Sequence, residues 1–534
     1  MNKFLLTSVA AALALNAGAQ SVQEGEKMIS YGRYVSAEKL LEPLAAKDAY
    51  ANYELGLAEV EQEEFGKARA TFAKYPDDFY NQAGTARLLL DQGKKDEANA
   101  LLTKVVDKAK KKEWEKYKAA ADAITYAKEG NIIDAITWYK KAIEINPADA
   151  NIYIALGDAH LKTAGGGGEA MTAYETAIEK GNNNSLAYSK IGDLWYRAQR
   201  YEDALKNYQS AKDADPVNPL PYKSLAYAYQ RAGKFDNALK NMEEYMKLSD
   251  NSDDDNLNHA NLLFLSGKYP EAQAKIQQLQ AKGITKPYLY RLVAYSAYET
   301  KDYPKALGNM QTFWAKQDPD KIIPSDYVYS GKIYAALAQA DSTKEKVYSD
   351  SADYYYNIAV SKDTTKDKRA LYMQIADAYK AAKNYGKAGD WYGRIVADNP
   401  DASELDYFNW GLYNYYGKDY AEAAKAFSAL KEKYPNDNVK GKATYWQGRT
   451  AAATDPEAKT GAGVEFYKEW LALPQEHKDA DLLNAYNYLA YYYYNTDKQA
   501  DALTYVNKIL EKDPSNGFAT QVKDYYAKKA KGGK

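Results

Sequence analysis

The sequence predicts an all-α fold, an α-solenoid built from repeated pairs of helices, on three observations. Alanine recurs every 34 residues over four intervals, and each alanine is followed four residues later by a large side chain. Within the intervals, apolar residues recur at the i, i+3, i+4, i+7 spacing of one helix face. A period of about 34 residues with two helices is typical of repeat solenoids. The alanines are Ala170, Ala204, Ala238, Ala272 and Ala306, and the large residues are Tyr174, Tyr208, Met242, Ile276 and Met310.

The N-terminal segment, residues 1–19, is predicted to be a secretory signal peptide. Lys3 supplies a positive charge, residues 4–15 form an apolar run, and residues 17–19 form a small-residue cleavage site. The apolar run is too short to span a bilayer, which takes about 20 residues of helix. We therefore expect the chain to be exported, with Gln20 as its first residue after cleavage.

The clearest repeat runs from about Ser185 to Asn218. Its first helix has one apolar face, and its second helix carries small residues where neighbouring helices must approach to about 8–10 Å. Pro216 ends the second helix. The first-helix face consists of Tyr188, Ile191, Gly192 and Trp195, and the second-helix positions are Ala204, Tyr208 and Ala211.

This pattern resembles the tetratricopeptide repeat (TPR) family, which has W-x2-L-G-x2-Y in the first helix, A-x3-F in the second and a final proline. The same register recurs around Ala135, Ala388, Ala423 and Ala502. With weaker copies included, the resemblance implies a superhelix of about 13–14 helix-turn-helix repeats. A C-terminal capping helix is expected, because the end of a solenoid needs a polar outer face. The predicted boundaries are 20–516 for the repeat solenoid and 517–534 for the capping helix with its lysine-rich tail.

Three insertions, near Gly165, Ala340 and Thr454, interrupt the period where the two helices of a repeat join. The first is the glycine run 165–168, and the others span about 340–350 and 454–463. No Lys-Ser or Lys-Thr follows the glycines and no strand precedes them, so we predict a slack turn and not a phosphate loop. The other two are interpreted as polar loops, either plain surface excursions or parts of a binding face.

Two charged stretches are interpreted as ordinary features of helices. The acidic run 250–255 lacks the later glycine and glutamate of a calcium loop. We therefore predict a helix N-cap with favourable charge in the first turn. The lysine-rich stretch 104–118 is interleaved with apolar residues at helical spacing, which predicts a solvated helix face, with a phosphate-binding patch as the alternative.

The composition argues against an enzyme, a metal site and a nucleic-acid-binding role. The net charge is −2, with 3 histidines and no cysteine. His160, His259 and His477 lie in separate repeats, whereas a zinc site needs three or four converging ligands. No nucleophile has a neighbouring base, and a nucleic-acid binder needs a basic face. We expect no cofactor, no catalytic residue and, at a mean hydropathy of −0.67, no integral membrane span after cleavage.

Tyrosine dominates the aromatic residues, with 53 copies against 11 Phe and 8 Trp. In the TPR family the first helix of each repeat lines an inner groove that holds a peptide or a partner's helix, and the resemblance implies the same here. A tyrosine-rich groove offers large contact area with polar tips, which suits proteins and also sugar rings. The alternative is that these side chains only cover the groove floor. The candidate partner-binding residues are Tyr227, Phe264, Tyr295, Tyr298, Tyr415, Tyr491 and Tyr494.

Together these observations predict a non-enzymatic, exported scaffold that mediates protein–protein interaction in a bacterial cell envelope. Its partner, an envelope protein or a peptide segment, is expected in the concave groove. The expected location is the periplasm, or association with the outer membrane, as a soluble protein. The alternative is a carbohydrate-binding or nutrient-uptake accessory protein with a glycan as its ligand. No nucleic-acid partner is expected.

Overall fold

The fold is an all-α solenoid of helix pairs. The computed structural model describes residues 21–181 and 184–532, and the signal peptide predicted for residues 1–19 lies outside them. The described residues form 29 α-helices and a short 3-10 helix at Pro319–Lys321, with no strand among them. The predicted fold class is therefore confirmed. In the same residues, every helix is too short or too polar to cross a membrane.

The helices are distributed over two compact units, which we call unit 1 (Met1–Ile284) and unit 2 (Thr285–Lys534). In unit 1 the odd-numbered helix is the first of each pair. The helices of unit 1 are α1 (21–30), α2 (Tyr34–Ala45), α3 (Ala49–Glu61), α4 (Phe65–Phe72), α5 (Phe79–Asp91), α6 (Lys95–Asp107), α7 (Trp114–Thr125), α8 (Ile132–Ile145), α9 (Ala150–His160), α10 (Gly167–Glu179), α11 (Asn184–Arg197), α12 (Tyr201–Ala214), α13 (Leu220–Arg231), α14 (Phe235–Leu248), α15 (Asp253–Leu265) and α16 (Tyr269–Ala281).

Unit 2 continues the same alternation with six pairs and one last helix. Its helices are α17 (Pro287–Glu299), α18 (Tyr303–Lys316), α19 (Pro324–Ala340), α20 (Glu345–Lys362), α21 (Arg369–Ala381), α22 (Tyr385–Asp398), α23 (Glu404–Tyr416), α24 (Tyr420–Lys433), α25 (Asp437–Thr454), α26 (Val464–Leu471), α27 (Asp479–Asn495), α28 (Gln499–Lys512) and α29 (Gly517–Gly532). The last helix packs on α28 through Ala519, Val522 and Tyr526, which are all buried, and leaves Tyr525 exposed.

The alanines that define the 34-residue period lie at the tightest contacts between helices. All five have 0% of their surface exposed, and the large residues four positions later are exposed by 2% or less. A larger side chain at the alanine positions has no room, because helices in contact approach to about 8–10 Å. The sequence register therefore corresponds directly to the packed core of the solenoid.

Several buried tyrosines of this core keep a hydrogen bond at the polar tip of the ring, a contact that phenylalanine could not make. In three consecutive pairs, a buried second-helix tyrosine donates its hydroxyl to an aspartate of the first helix. Gly192 is required beneath one of these rings, since a Cβ there would lie 2.5 Å from Tyr208. The pairs are Tyr139–Asp122, Tyr174–Asp158 and Tyr208–Asp193, at 2.7, 2.7 and 2.8 Å.

The three insertions take three different forms. The glycine run makes a short turn as predicted, and a Cβ on Gly166 would lie 2.0 Å from the carbonyl oxygen of His160. The prediction of a loop over about 340–350 is wrong, because only residues 341–344 are non-helical and the remainder lengthens α20 to 18 residues. The polar residues of this segment are compatible with a helix, because one face of α20 is exposed to water. The third insertion is an ordered loop held by the carboxylate of Asp455.

The acidic run begins α15 as predicted, with Ser252 as the N-cap and three aspartates in the first turn. The lysine-rich stretch is divided between α6 and α7 by a turn. The prediction of a solvated face is wrong for Lys118, whose side chain is 26% exposed and pairs with Asp122 at 2.7 Å. The physical reason is that α7 is a first helix, so this face of α7 lies inside unit 1.

Candidate protein-binding surface

The first helices of consecutive pairs contact one another, as α17 contacts α19 and α23 contacts α25. In a curved stack of helix pairs, the side on which consecutive helices come together is the inner side of the curve. Side chains on these helices therefore form the inner face of each unit. Unit 1 and unit 2 each have such a face, and the predicted groove residues divide between them.

Tyr227 and Phe264 lie on first helices of unit 1, and both are half-buried. Asn258 of the following first helix donates to the Tyr227 hydroxyl at 2.8 Å. The Phe264 ring lies 5.6 Å from the ring of Tyr269, at the start of the second helix of the same pair. Tyr227 therefore bridges two repeats, and Phe264 packs against the core cluster formed by its own repeat and the preceding one.

The other predicted residues lie on first helices of unit 2. Tyr295 is only 5% exposed, because its ring stacks on Tyr329 at 3.6 Å and its hydroxyl donates to Asp326 at 2.7 Å. It therefore lies beneath the inner face and supports Tyr329. Tyr298 is half-buried and reaches the same neighbour, with ring centroids 5.8 Å apart.

At the end of unit 2, Tyr491 and Tyr494 bridge α27 and α29. Tyr491 is 38% exposed, and its ring meets Phe518 edge-on at 5.2 Å. Tyr494 meets Tyr525 in the same way at 5.5 Å. Most of the predicted groove tyrosines thus share one arrangement, in which the ring contacts the first helix of the next repeat, or the capping helix, and keeps part of its surface exposed.

Two of these contacts in unit 2 are built alike, each from a tyrosine, a second aromatic ring and a cation. Inner cluster 1 consists of Tyr298, Tyr329 and Lys332. The two rings meet at 89°, and the Lys332 ammonium lies 4.7 Å from the Tyr329 ring centroid and 5.9 Å from that of Tyr298. Burial lowers the pKa of Lys332 and raises the pKa of Tyr298 to about 12.

Inner cluster 2 consists of Tyr415, Trp446 and Arg449. Its rings meet at 81° with centroids 5.3 Å apart. The Arg449 guanidinium lies 4.6 Å from the Trp446 ring and 5.2 Å from the Tyr415 ring. In both clusters the second ring follows the tyrosine by 31 residues and the cation follows it by 34. The two clusters are therefore equivalent sites on two pairs of first helices.

Four members of these clusters were not predicted from the sequence, namely Tyr329, Lys332, Trp446 and Arg449. The signal that identifies them is the interval of 31 and 34 residues after a predicted groove tyrosine. A cation over an aromatic ring gains about 0.5–2 kcal/mol, more as it is desolvated. All six side chains are half-buried, so each keeps a surface that a ligand can contact.

Unit 1 has a different feature on its inner side, because α1 and α2 contact repeats far along the chain. The Tyr31 hydroxyl donates to Asp215 at 2.6 Å, and the Lys27 ammonium lies 3.1 Å from the same carboxylate. The backbone N–H of Ser36 donates to Asp250 at 3.1 Å. We call these contacts the N-terminal clasp. They close one turn of unit 1 around a cavity of about 620 Å³.

The cavity of unit 1 is lined mainly by polar side chains. Tyr126 is 43% exposed and its ring lines this cavity, while burial of its hydroxyl raises its pKa well above the usual value. The lysines in the lining are paired with carboxylates, Lys27 with Asp215 and Lys118 with Asp122. Amide, hydroxyl and aromatic groups therefore make up most of the surface that remains for a ligand, with Glu26 as an additional carboxylate.

The described part of the chain contains no group of three or more His, Cys, Asp or Glu side chains that could hold a metal ion. The three histidines lie apart, His160 in α9, His259 in α15 and His477 in the segment before α27. Burial lowers the pKa of each. His477 packs against the Trp470 ring at 4.0 Å.

The paired helices and their aromatic inner faces define a helical-repeat protein, and comparison with family models assigns the repeats to a type. A TPR repeat model matches residues 125–163, and tetratricopeptide repeat models match residues 154–219 and 407–437. The solenoid is therefore built from TPR-like repeats. Such repeats generally form protein-interaction scaffolds that are not catalytic.

Several solved TPR structures are similar to parts of this chain. The C-terminal part of a TPR repeat-containing protein from Cytophaga hutchinsonii is 28% identical and covers 50% of this chain and 98% of its own length, with a TM-score of 0.35. A tetratricopeptide repeat protein from Parabacteroides merdae is 18% identical over 51% of this chain and 99% of its own, at a TM-score of 0.31. YrrB, a TPR protein with an unusual peptide-binding site, is 20% identical over 34% of this chain and 93% of its own, at 0.32. No curated protein matches the sequence.

Proposed function

We propose that this chain is an exported, non-enzymatic scaffold of a bacterial cell envelope that binds a segment of a protein partner on the inner face of unit 2. The observation that carries the proposal is the pair of equivalent inner clusters. Their rings are held rigidly by neighbouring repeats and remain half-exposed. Rigid aromatic and arginine side chains supply most of the binding energy in protein interfaces at a small cost in conformational entropy.

The proposed location rests on the sequence of residues 1–19, which has the features of a secretory signal. The periplasm, or association with the outer membrane as a soluble protein, is the location we propose. The absence of cysteine fits an oxidising compartment, because no free thiol is exposed to it. Cell fractionation followed by N-terminal sequencing tests this proposal. A mature chain beginning at Gln20 in the envelope fraction is expected, and an uncleaved chain in the cytoplasm would contradict it.

Site-specific photo-crosslinking tests the partner site. A photoreactive phenylalanine analogue replaces Tyr298 or Tyr415 in cells that express the protein naturally. The matched control replaces Tyr354, which is 62% exposed on the second helix α20. We expect one protein adduct from the two inner positions and not from Tyr354. Equal adducts at all three positions, or none from the inner face, would overturn the proposal.

A carbohydrate-binding or nutrient-uptake role is the second candidate, and the exposed ring of Tyr126 in the unit 1 cavity favours it. Sugar rings stack on aromatic faces, and the lining supplies amides and hydroxyls for their hydroxyl groups. Glycan arrays with the wild-type chain and the variants Tyr126→Ala and Tyr126→Phe test this role. Binding that survives in the Phe variant and is lost in the Ala variant would support it, and no binding at millimolar glycan would remove it.

A further inference from the structure

The cations of the two inner clusters differ from most other cations on the first helices of unit 2, because they lie over aromatic rings and outside any ion pair of the described residues. Arg291, Arg369 and Lys380 each lie within 2.9 Å of a carboxylate oxygen. Within residues 285–532, Lys332 and Arg449 contact aromatic rings and take part in no ion pair. Each of these two positive charges is therefore held against aromatic rings and, in the part of the chain that the structure describes, has no carboxylate in direct contact.

Two carboxylates lie close enough to influence Lys332, but neither forms an ion pair with it. Glu299 accepts a hydrogen bond from the Tyr329 hydroxyl at 2.9 Å, and Asp377 pairs with Lys380 at 2.6 Å. Both carboxylates act on Lys332 through space, and burial of the ammonium outweighs them, so its pKa is lowered. A half-buried ammonium without a partner gains more from an arriving carboxylate than a solvated lysine does, because it has already lost part of its hydration.

Arg449 also has no carboxylate partner among the described residues, but the geometry of its cation differs from that of Lys332. Its guanidinium stacks on Trp446 and reaches the Tyr415 hydroxyl at 3.4 Å, which leaves most of its five N–H donors unused by protein. A planar guanidinium binds a carboxylate with two parallel hydrogen bonds while its flat face stays on a ring. The stacked arrangement therefore presents an edge that fits a carboxylate.

We propose that the segment bound on the inner face of unit 2 is an extended acidic peptide, with one carboxylate on Lys332 and another on Arg449. Apolar side chains of the same segment lie on the half-buried rings of Tyr298 and Tyr415. This inference rests on the proposed function and adds the chemistry of the partner. The argument for an acidic partner is charge complementarity. Each cluster contains one cation, neither cation is in an ion pair within residues 285–532, and the two lie at equivalent positions of their repeats.

The spacing of the two carboxylates follows from the repeats. The clusters are three repeats apart, and consecutive first helices lie about 8–10 Å apart, so the clusters are separated by roughly 25–30 Å. An extended chain advances about 3.3 Å per residue, which corresponds to about eight or nine residues. Two acidic residues at about that interval are expected to bind more tightly than two that are adjacent.

Fluorescence anisotropy with designed peptides tests the inference. The probes are labelled peptides of Leu and Ser that carry two Glu residues at the expected interval, two adjacent Glu residues, two Gln residues or two Lys residues. We expect the spaced Glu peptide to bind about tenfold more tightly than the Gln peptide, and the Lys peptide more weakly still. Added salt should weaken the Glu peptide selectively.

Charge-reversal variants locate the effect. Lys332→Glu and Arg449→Glu should each weaken the spaced Glu peptide about tenfold. Lys332→Met and Arg449→Gln remove the charge and keep most of the side-chain volume. They should weaken binding in the same direction, and they test the inference even if the reversed charges disturb folding. The matched control is Lys508→Glu, because Lys508 also lies over two tyrosine rings, Tyr486 at 5.4 Å and Tyr505 at 5.6 Å, but on a second helix. It should leave binding unchanged.

The outcomes separate this inference from the proposed function. Equal binding of the Glu and Gln peptides, lost in Tyr298→Ala, would overturn the acidic preference and leave a protein-binding face. Tighter binding of the Lys peptide, or no effect of Lys332→Glu and Arg449→Glu, would also overturn it. Absence of binding by every peptide overturns the inference alone, because the photo-crosslinks from Tyr298 and Tyr415 decide the proposed function separately.

Discussion

Arg291 donates a hydrogen bond from Nη2 to Oδ2 of Asp326 at 2.8 Å, and this ion pair joins the first helices of two consecutive repeats. The carboxylate is fully buried and also accepts from the Tyr295 hydroxyl and the backbone N–H of Ile323. The same arrangement recurs as Arg369–Asp406 and Lys223–Asp255, in each of which the aspartate is the third residue of a helix that begins with a serine N-cap. In each case one buried carboxylate both caps the start of its own helix and pairs with a cation on the first helix of the preceding repeat.

Asp326→Asn should loosen this joint. It leaves the Arg291 guanidinium, 17% exposed, without a counter-ion, which costs about 3 kcal/mol. The control Asp377→Asn removes an exposed pair with Lys380 and should cost less than about 0.5 kcal/mol. Amide hydrogen exchange in α17 and α19 is the suitable measurement, since repeats open locally. Equal protection in the two variants would contradict the structural role of Asp326.

Alanine substitution of glycine should have opposite effects at two positions of unit 2. In Gly411→Ala the new Cβ would lie 2.6 Å from the buried ring of Phe427, and overpacking of this kind costs about 1–3 kcal/mol. In Gly308→Ala the Cβ meets nothing within 4 Å, and the helix gains about 0.5–1 kcal/mol. Thermal unfolding should show a lower midpoint for the first variant and a higher one for the second. Phe427→Leu should partly rescue Gly411→Ala.

His259 should make unit 1 less stable in mild acid. Burial, with Lys275 and Lys268 nearby, lowers the pKa of its imidazole to about 4, against about 6.5 in an unfolded chain. Between these values the unfolded chain binds more protons than the folded one, so stability falls as pH is lowered from 6.5 towards 4. His259→Phe removes this titration and should flatten the dependence of the unfolding midpoint on pH over that range. A slope equal to that of the wild-type chain would contradict this assignment.

Asp455 should control the ordered loop of the third insertion. Its carboxylate accepts from the backbone N–H groups of Lys459 at 2.9 Å and Gly461 at 2.9 Å, and from the Tyr488 hydroxyl at 2.8 Å. Burial opposes the charge, but these donors outweigh it and hold the pKa of Asp455 well below its usual range. Asp455→Ala should free the loop and speed tryptic cleavage after Lys459, whereas Glu465→Gln, a change at a side chain that is 88% exposed, should not. Equal cleavage rates would show that the loop does not depend on Asp455.

The N-terminal clasp should limit entry of large reagents into the unit 1 cavity. The chain has no cysteine, so Tyr126→Cys creates one thiol in the cavity. Tyr31→Phe with Ser36→Ala removes side-chain hydrogen bonds to Asp215 and Asp250, and a loss of about 1–2 kcal/mol raises the open fraction roughly tenfold. A polymer-linked maleimide should then react about tenfold faster, while a small iodoacetamide changes little. Tyr354→Cys in unit 2 should be unaffected by the clasp changes.

The register of the repeats could be predicted from the sequence because each repeat carries its own packing signal. Ala204 and Tyr208 lie one turn apart on α12 and both are buried within one helix pair, so their spacing alone identifies the packed face. The tyrosines of the inner clusters could be predicted for the same reason. Lys332 and Arg449 were missed, because a charged residue in an amphipathic helix is ordinarily solvated. Each lies over a ring three residues earlier on its own helix and a tyrosine of the preceding repeat, and that pairing becomes visible only when the repeats are aligned.

The N-terminal clasp could not be predicted from any local pattern. Tyr31 and Asp215 are 184 residues apart, and their contact depends on the rotation accumulated over the repeats between them. A small change in the angle of each repeat would separate the two groups. The length of α20 was not predicted for a different reason. Polar residues such as those of 345–350 are compatible with a loop and also with the exposed side of a helix, so the sequence does not distinguish the two.

The clasp also sets an order of events during biosynthesis. Residues 21–45 are synthesised long before Asp215, the residue whose carboxylate Tyr31 requires. Each intermediate repeat can pack on its predecessor through local contacts. The N-terminal clasp forms only when its distant partner is present, and such long-range contacts form slowly. A chain interrupted before Asp215 would keep its stacked helices but leave Lys27 and Tyr31 without their acceptor. The first helix pair therefore distinguishes a finished unit 1 from a truncated one.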